Sequence, residues 1–249
     1  MSRLFILYLY LFYVRQLHMK RLIALAISLV MPTMLMIITT TLYHPARVWH
    51  LALFLLSSCS LISGMVIAYA LYKGIKLDTE DYVAAAIFGS LFSTSVWWGM
   101  SIPQFLYYVP FLSMFIVALT FYLPSAAIYG AFVSMSRKAL SSTLFFTIYM
   151  IASQIAFPNA IWIPYYIAWG STLDLCFLLM DEKSRRMEFM GFLFGYIGTS
   201  LARSFMVVGW GDWKPLFEAI PTCIVNGLFS YLGFTFGYEV GLRASKLRL

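Results

Sequence analysis

An all-α, polytopic integral membrane protein of about eight transmembrane helices is the fold class predicted by this 249-residue sequence, on three observations. Leu22–Leu42 runs 21 residues without a charge, and comparable runs recur toward the C-terminus. Composition is 62% hydrophobic and 11% charged, with a mean hydropathy of +0.84, outside the range of soluble domains. Cations collect on alternate connections between the apolar runs. A hydrocarbon core about 30 Å thick takes roughly 20 apolar residues of helix. Backbone in lipid must find its hydrogen bonds within the segment, which selects helices over open sheets.

The apolar runs predict spans at about 22–43, 48–72, 82–102, 111–135, 139–157, 160–180, 187–208 and 216–242. Fourteen of the 17 Lys and Arg residues then fall on one side, from Arg3 and Arg15 through Lys73, Arg137, Lys138 and Lys183 to Arg248. Arg47 and Lys214 fall on the other, and Arg203 lies inside a span. By the positive-inside rule both termini are cytoplasmic and the chain is a multi-pass protein of the cell membrane. The same bias accounts for the formal charge of +7 without a nucleic-acid partner.

Three parts follow: an interfacial segment at 1–20, two additional helices at 21–76 and a six-helix core at 82–243. Leu4–Val14 is eleven apolar residues between Arg3 and Arg15, too short to span and lacking a small-residue cleavage site. Its Phe5, Tyr8, Tyr10, Phe12 and Tyr13 suit an interface. Met19-Lys20-Arg21 reads equally as a natural start, which makes 1–18 a dispensable extension. Gln104–Met135 is 32 residues without a charge, long for one straight span. An outer interfacial piece at Pro103–Pro110 followed by a helix kinked near Pro124 is expected, with a re-entrant pair as the alternative.

Ionisable and amide groups within apolar runs are the functional candidates, because lipid makes them costly. Arg203 is placed to bind an anionic group or a buried carboxylate, or else to snorkel outward. Glu218 begins the last span as a partner for Arg203 or a cationic ligand, or as an interfacial carboxylate. Asn226 sits mid-membrane, where its amide needs a partner helix or a ligand. Asp174 reads as a structural anchor, and Glu239 pairs with Arg243 one turn on. Around the outer loops cluster Trp97, Trp98, Trp162, Tyr165, Tyr166, Trp169, Trp210 and Trp213. They form either an interfacial aromatic belt or a cup for a flat ligand.

Catalytic signatures are missing, so the chain is not expected to be an enzyme, nor to hold a cofactor or metal. Cys59, Cys176 and Cys223 sit in apolar runs as small hydrophobes. His18, His44 and His50 all precede the last four-fifths of the chain, which disfavours haem ligation deep in facing spans. Ser63-Gly64 has no histidine after it, and neither does Cys59, which disfavours intramembrane proteases and transpeptidases. Asp78, Glu80 and Asp81 form an acidic run with no second cluster to complete a magnesium-phosphate site. No glycine-lysine phosphate loop is present, so ATP would have to be hydrolysed by another chain. Small residues recur at four-residue spacing in Ala85/Gly89, Ala86/Ser90, Gly191/Gly195 and Gly233/Gly237/Gly241. Such stripes allow close helix approach, within the chain or against a partner.

Three stretches carry a family resemblance. They are Arg137–Phe157 with Ile161–Ser171, Gly170–Phe177 followed by the basic Lys183–Arg186, and Ala219-Ile220-Pro221 with Asn226-Gly227 and the glycine-rich tail. Together the C-terminal two-thirds resembles the substrate-binding S component of energy-coupling factor transporters, of hydroxymethylpyrimidine/thiamine-like type. The resemblance implies six core helices, which spans 82–242 supply, with 22–72 as additional helices. It implies capture of a small water-soluble vitamin or precursor from outside, by a pocket of Trp162, Tyr166, Trp169, Arg203, Glu218 and Asn226. It also implies docking of a transmembrane coupling subunit on Ala85, Ala86, Gly89 and Ser90, with cytoplasmic ATPases behind it. Asp174 stands where that family more often has glutamate. Two alternatives stay open: a non-catalytic anchor or assembly subunit of a larger, for example respiratory, membrane complex, and an ABC-2-type permease subunit.

Overall fold

The computed structural model describes residues 3–100, 112–156, 158–179 and 188–246, and these are helical with no strand among them. In chain order the helices are α1 (Arg3–Thr41), α2 (Val48–Tyr72), α3 (Thr79–Met100), α4 (Leu112–Val117), α5 (Leu123–Met135), α6 (Ser141–Ala156), α7 (Trp162–Leu179), α8 (Glu188–Trp210) and α9 (Leu216–Lys246). Among the described residues four helical stretches are long and apolar enough to cross a membrane: Pro45–Tyr72, Leu112–Met135, Phe189–Trp210 and Leu216–Lys246. These mark a membrane protein whose apolar helices meet lipid. Leu25–Thr41 and Ser141–Ile155 are apolar but shorter. By length and apolarity the described helices therefore support four crossings, half the number expected from the sequence. The expected piece at Pro103–Pro110 and the basic loop at Lys183–Arg186 lie outside the described residues.

Proline shapes two of the long segments. α1 is one continuous helix from Arg3, with Pro32 inside it. Between α4 and α5 the chain widens into a π-helical turn, Ala118–Tyr122, with the Leu123 N–H reaching back to the Ala118 carbonyl. Pro124 follows at once; it has no N–H to give to Thr120, and its ring crowds that carbonyl in α geometry. A wide turn just upstream is the local solution.

Backbone proximity governs the packing of α9. It packs most extensively against α5 and α8. A side chain at Gly233, Gly237 or Gly241 would run into the Leu123 carbonyl, the Ala127 carbonyl, or the Ser134 hydroxyl and Ala131 backbone of α5. On the neighbouring face, Gly191 and Gly195 of α8 admit Phe234, Ser230 and the Asn226 carbonyl of α9. Small residues four apart thus act inside the chain here, letting three helices meet backbone to backbone. Gly89 likewise faces the Phe145 carbonyl and Ile148 of α6, and Ala85 beside it is buried. Ala86 and Ser90, on another face of α3, are exposed.

Aromatic side chains fill the centre. Phe92 of α3 sits edge-on to Tyr149 at 4.5 Å and Phe145 at 5.3 Å between ring centroids. Trp169 tilts against Phe146 at 4.4 Å, and Tyr129 stacks on Phe194 at 4.9 Å. Quadrupolar edge-to-face contacts of this kind add about 0.5–1.5 kcal/mol per pair to burial alone. Cys59, Cys176 and Cys223 are buried and unpaired as disulfides.

Two carboxylates tie helix starts to the bundle. α6 begins after Leu140, which holds φ +73° and carries no side chain able to cap. Asp174 of α7, fully buried, does it from across the interface. One oxygen accepts the Ser142 N–H at 3.0 Å; the other accepts the Thr143 N–H at 2.8 Å and its hydroxyl at 2.6 Å. These are the two amides an N-cap side chain would serve, and the helix dipole favours the charge. At the start of α3, Asp81 accepts the Asp78 N–H at 2.8 Å, the Ser136 hydroxyl at 2.6 Å and the Lys138 ammonium at 2.9 Å. The acidic run at 78–81 is therefore matched by the α5–α6 connection.

Asp81 has a readable pH signature. Burial pushes its carboxyl up, but the Ser136 hydroxyl, Lys138 and the Asp78 amide outweigh that and hold it below the ordinary 3.8. A carboxyl with a depressed folded-state value contributes stability that is present above 3.8 and lost as pH falls through the folded value. Thermal melts from about pH 5 down to about pH 2 should show this acid-side loss in the native protein and a flatter limb in Asp81→Asn. Parallel limbs in the two proteins would exclude the contribution.

Candidate functional site

A cavity of about 330 Å³ opens between α4, the π-turn, α8 and α9 at the end closed by the 211–215 connection. Its polar lining is Ser113, Tyr122, Thr199, Arg203, Asp212, Thr222 and Asn226, with Lys214 at the same end and Met114, Val117, Ala202 and Met206 as apolar wall. Helical spacing explains the convergence: Thr199 and Arg203 are one turn apart on α8, and Thr222 and Asn226 one turn apart on α9. The small residues along α8 and α9 bring those faces together.

Asn226 is 1% exposed. Its amide nitrogen donates to the Thr199 hydroxyl at 2.9 Å, and the Thr199 hydroxyl also pairs with Tyr122. The amide oxygen, buried, has no hydrogen-bond partner among the described residues. An unmatched buried acceptor costs about 1–3 kcal/mol, so a native fold keeps few of them.

Arg203 is charge-paired with Asp212 at 3.6 Å, with side chains 18% and 43% exposed. That separation is an ion pair but too long for a hydrogen bond. Among the described residues no hydrogen bond joins the guanidinium to a protein acceptor. Gly211 sets the geometry. In left-handed conformation at φ +68° it ends α8, its N–H bonding to Val207 and the Asp212 N–H to the Met206 carbonyl. The turn brings Asp212 back beside Arg203. Trp213 then donates its indole N–H to the Thr40 carbonyl at 2.8 Å, fastening the connection to the end of α1.

Of the six residues expected at a binding pocket, the cavity brings together Arg203 and Asn226 alone. Trp169 is fully buried in the aromatic core, its indole N–H donated to the Phe194 carbonyl at 3.0 Å. Trp162 packs on Phe205 and Trp210, and Tyr166 on Tyr149 and Tyr165. Glu218 lies one turn beyond Thr222 and is not part of the lining. From the sequence Glu218 could serve Arg203, a cationic ligand or the interface; the carboxylate paired with Arg203 is Asp212, delivered by the Gly211 turn. The side chains of Trp97 and Trp98 lie outside the described set.

Sequence reasoning missed Tyr122, Thr199, Thr222 and Asp212. Thr199 and Thr222 look like any small polar residue in a span, and Tyr122 like any of the chain's many aromatics. Asp212 carried a signal: it is an acid directly after a glycine, nine residues from an intramembrane arginine. Among the described residues no three His, Cys, Asp or Glu side chains converge as a metal site would require. No protein-family model, no curated protein and no solved structure matches the chain.

Proposed function

We propose that the protein is a transport component that binds a small polar solute in the Arg203–Asn226 cavity. The observation carrying this is the buried Asn226 oxygen, unpartnered among the described residues, in the same cavity as a guanidinium that none of them accepts a hydrogen bond from. A buried acceptor without a donor beside a guanidinium held by one long ion pair is a pattern that suits recognition of a ligand.

In the finer reading the chain crosses the cell membrane about eight times with both termini in the cytoplasm. The 211–215 connection then lies outside, and the cavity faces the external medium. The S component of a vitamin transporter fits this arrangement, with partner ATPases and a coupling subunit supplying the inward step. Ala86 and Ser90, exposed and four apart, are the surface on which a coupling subunit would dock. The glycine stripes of α8 and α9 are occupied within the chain, which leaves few buried charges and many aromatics as the features favouring an assembly subunit.

The test is purification of the full chain in mild detergent, followed by mass spectrometry of retained small molecules and binding assays on variants. Arg203→Gln and Asn226→Ala should each weaken binding of the retained solute by about tenfold or more, at unchanged fold. Glu218→Ala should bind as the native protein does. Retention that is indifferent to Arg203 and Asn226 would remove this cavity from the function.

A further inference from the structure

We infer that the Arg203–Asn226 cavity selects an organic anion that also carries a hydrogen-bond donor, and discriminates against cations. The inference deepens the binding role proposed above and rests on it. Two needs coexist in the cavity. Among the described residues, Arg203 offers guanidinium N–H donors that no acceptor takes within hydrogen-bonding distance, and Asn226 offers a buried oxygen that no donor reaches. A ligand that answers both presents an oxyanion to one and an N–H or O–H to the other.

Charge around the cavity points the same way. Arg203 and Lys214 stand against Asp212, which leaves one positive charge over. A cationic ligand would compete with two protein cations for one carboxylate, so a permanently cationic, thiamine-like solute is disfavoured. An anion meets a prepared exchange. Asp212 is 43% exposed and Arg203 18%, so the acid can turn to water while the arginine cannot. The incoming anion replaces one carboxylate by another beside a guanidinium already shielded from water. Most of the desolvation of Arg203 is thus complete before binding. A charge-assisted bond formed in this surrounding is worth more than a neutral one. The volume, about 330 Å³, restricts the occupant to a small molecule or a single headgroup.

A soluble organic acid and an anionic lipid headgroup share this chemistry, and the experiment separates them. The full chain is reconstituted in phosphatidylcholine vesicles and titrated with 4-hydroxybenzoate, 4-hydroxybenzamide and 4-hydroxybenzamidinium. These have one ring and one donor, with negative, zero and positive charge. Trp213, next to Asp212, reports binding by fluorescence. The expected result is roughly tenfold tighter binding of the benzoate than of the amidinium. That preference should vanish in Arg203→Gln and survive in part in Arg203→Lys. If phosphatidylglycerol vesicles abolish benzoate binding in the native protein, with the change absent from Arg203→Gln, the anion chemistry stands and its source is lipid. That outcome removes the solute-transport role. Equal binding of the three probes, a preference for the amidinium, or an unchanged preference in Arg203→Gln overturns the inference while leaving a binding site. No response to any probe in either lipid overturns both.

Discussion

Asp174→Ala will destabilise the bundle by roughly 3 kcal/mol or more, the largest effect expected of any single polar substitution here. The native carboxylate is fully buried and accepts three hydrogen bonds from the first turn of α6. Alanine leaves two amides and a hydroxyl without acceptors in a place water does not reach, at about 1–3 kcal/mol each before relaxation. Leu140 cannot take over the cap, since its side chain has no acceptor and its backbone is already left-handed. Asp174→Asn keeps one carbonyl oxygen but turns an NH₂ toward a donor, so it should fall between. Thermal unfolding in mild detergent measures both, and a midpoint for Asp174→Ala within about a degree of the native value would refute the capping role.

The second large effect comes from adding one methyl group. In Gly237→Ala the new Cβ would overlap the Ala127 carbonyl of α5, which is backbone and cannot swing aside. Overpacking against a movable side chain costs about 1–3 kcal/mol, and here the upper end or beyond is expected because two helices must separate. Gly64→Ala is the matched control. Gly64 lies in α2 with nothing near the position a Cβ would take, so alanine there should be neutral or stabilise by about 0.5–1 kcal/mol. Loss of monodisperse, cooperatively unfolding protein in the first variant and a raised midpoint in the second would establish backbone contact between α5 and α9. Equal behaviour of the two variants would argue against it.

Helical class and lipid contact were legible because both depend on composition and run length, which need no knowledge of neighbours. Arg203 and Asn226 were legible for a related reason: a guanidinium or an amide in an apolar run must find a partner somewhere. Trp169 sits in the middle of α7, and a tryptophan looks the same in sequence whether it serves a belt, a cup or a core. What decides its place is the Phe194 carbonyl and the gap at Gly198, both on the next helix. Glu218 was over-read because it shares a helical face with Thr222 and Asn226, while the wall at that end is built by Asp212 and Lys214. Asp174 could be recognised as structural, but not what it holds, since its targets at Ser142 and Thr143 belong to a helix whose own cap is missing.

The glycine-lined seat of α9 bears on how the protein is made. α9 follows α5 by about eighty residues in the chain, so several seconds of synthesis separate them at ordinary elongation rates. During that interval the carbonyl-rich faces at Leu123, Ala127 and Ala131 have no helix against them. Final closure therefore waits on translation of the region after Leu216. A ribosome stalled short of it would leave the bundle open along α5 and α8, the two helices α9 covers.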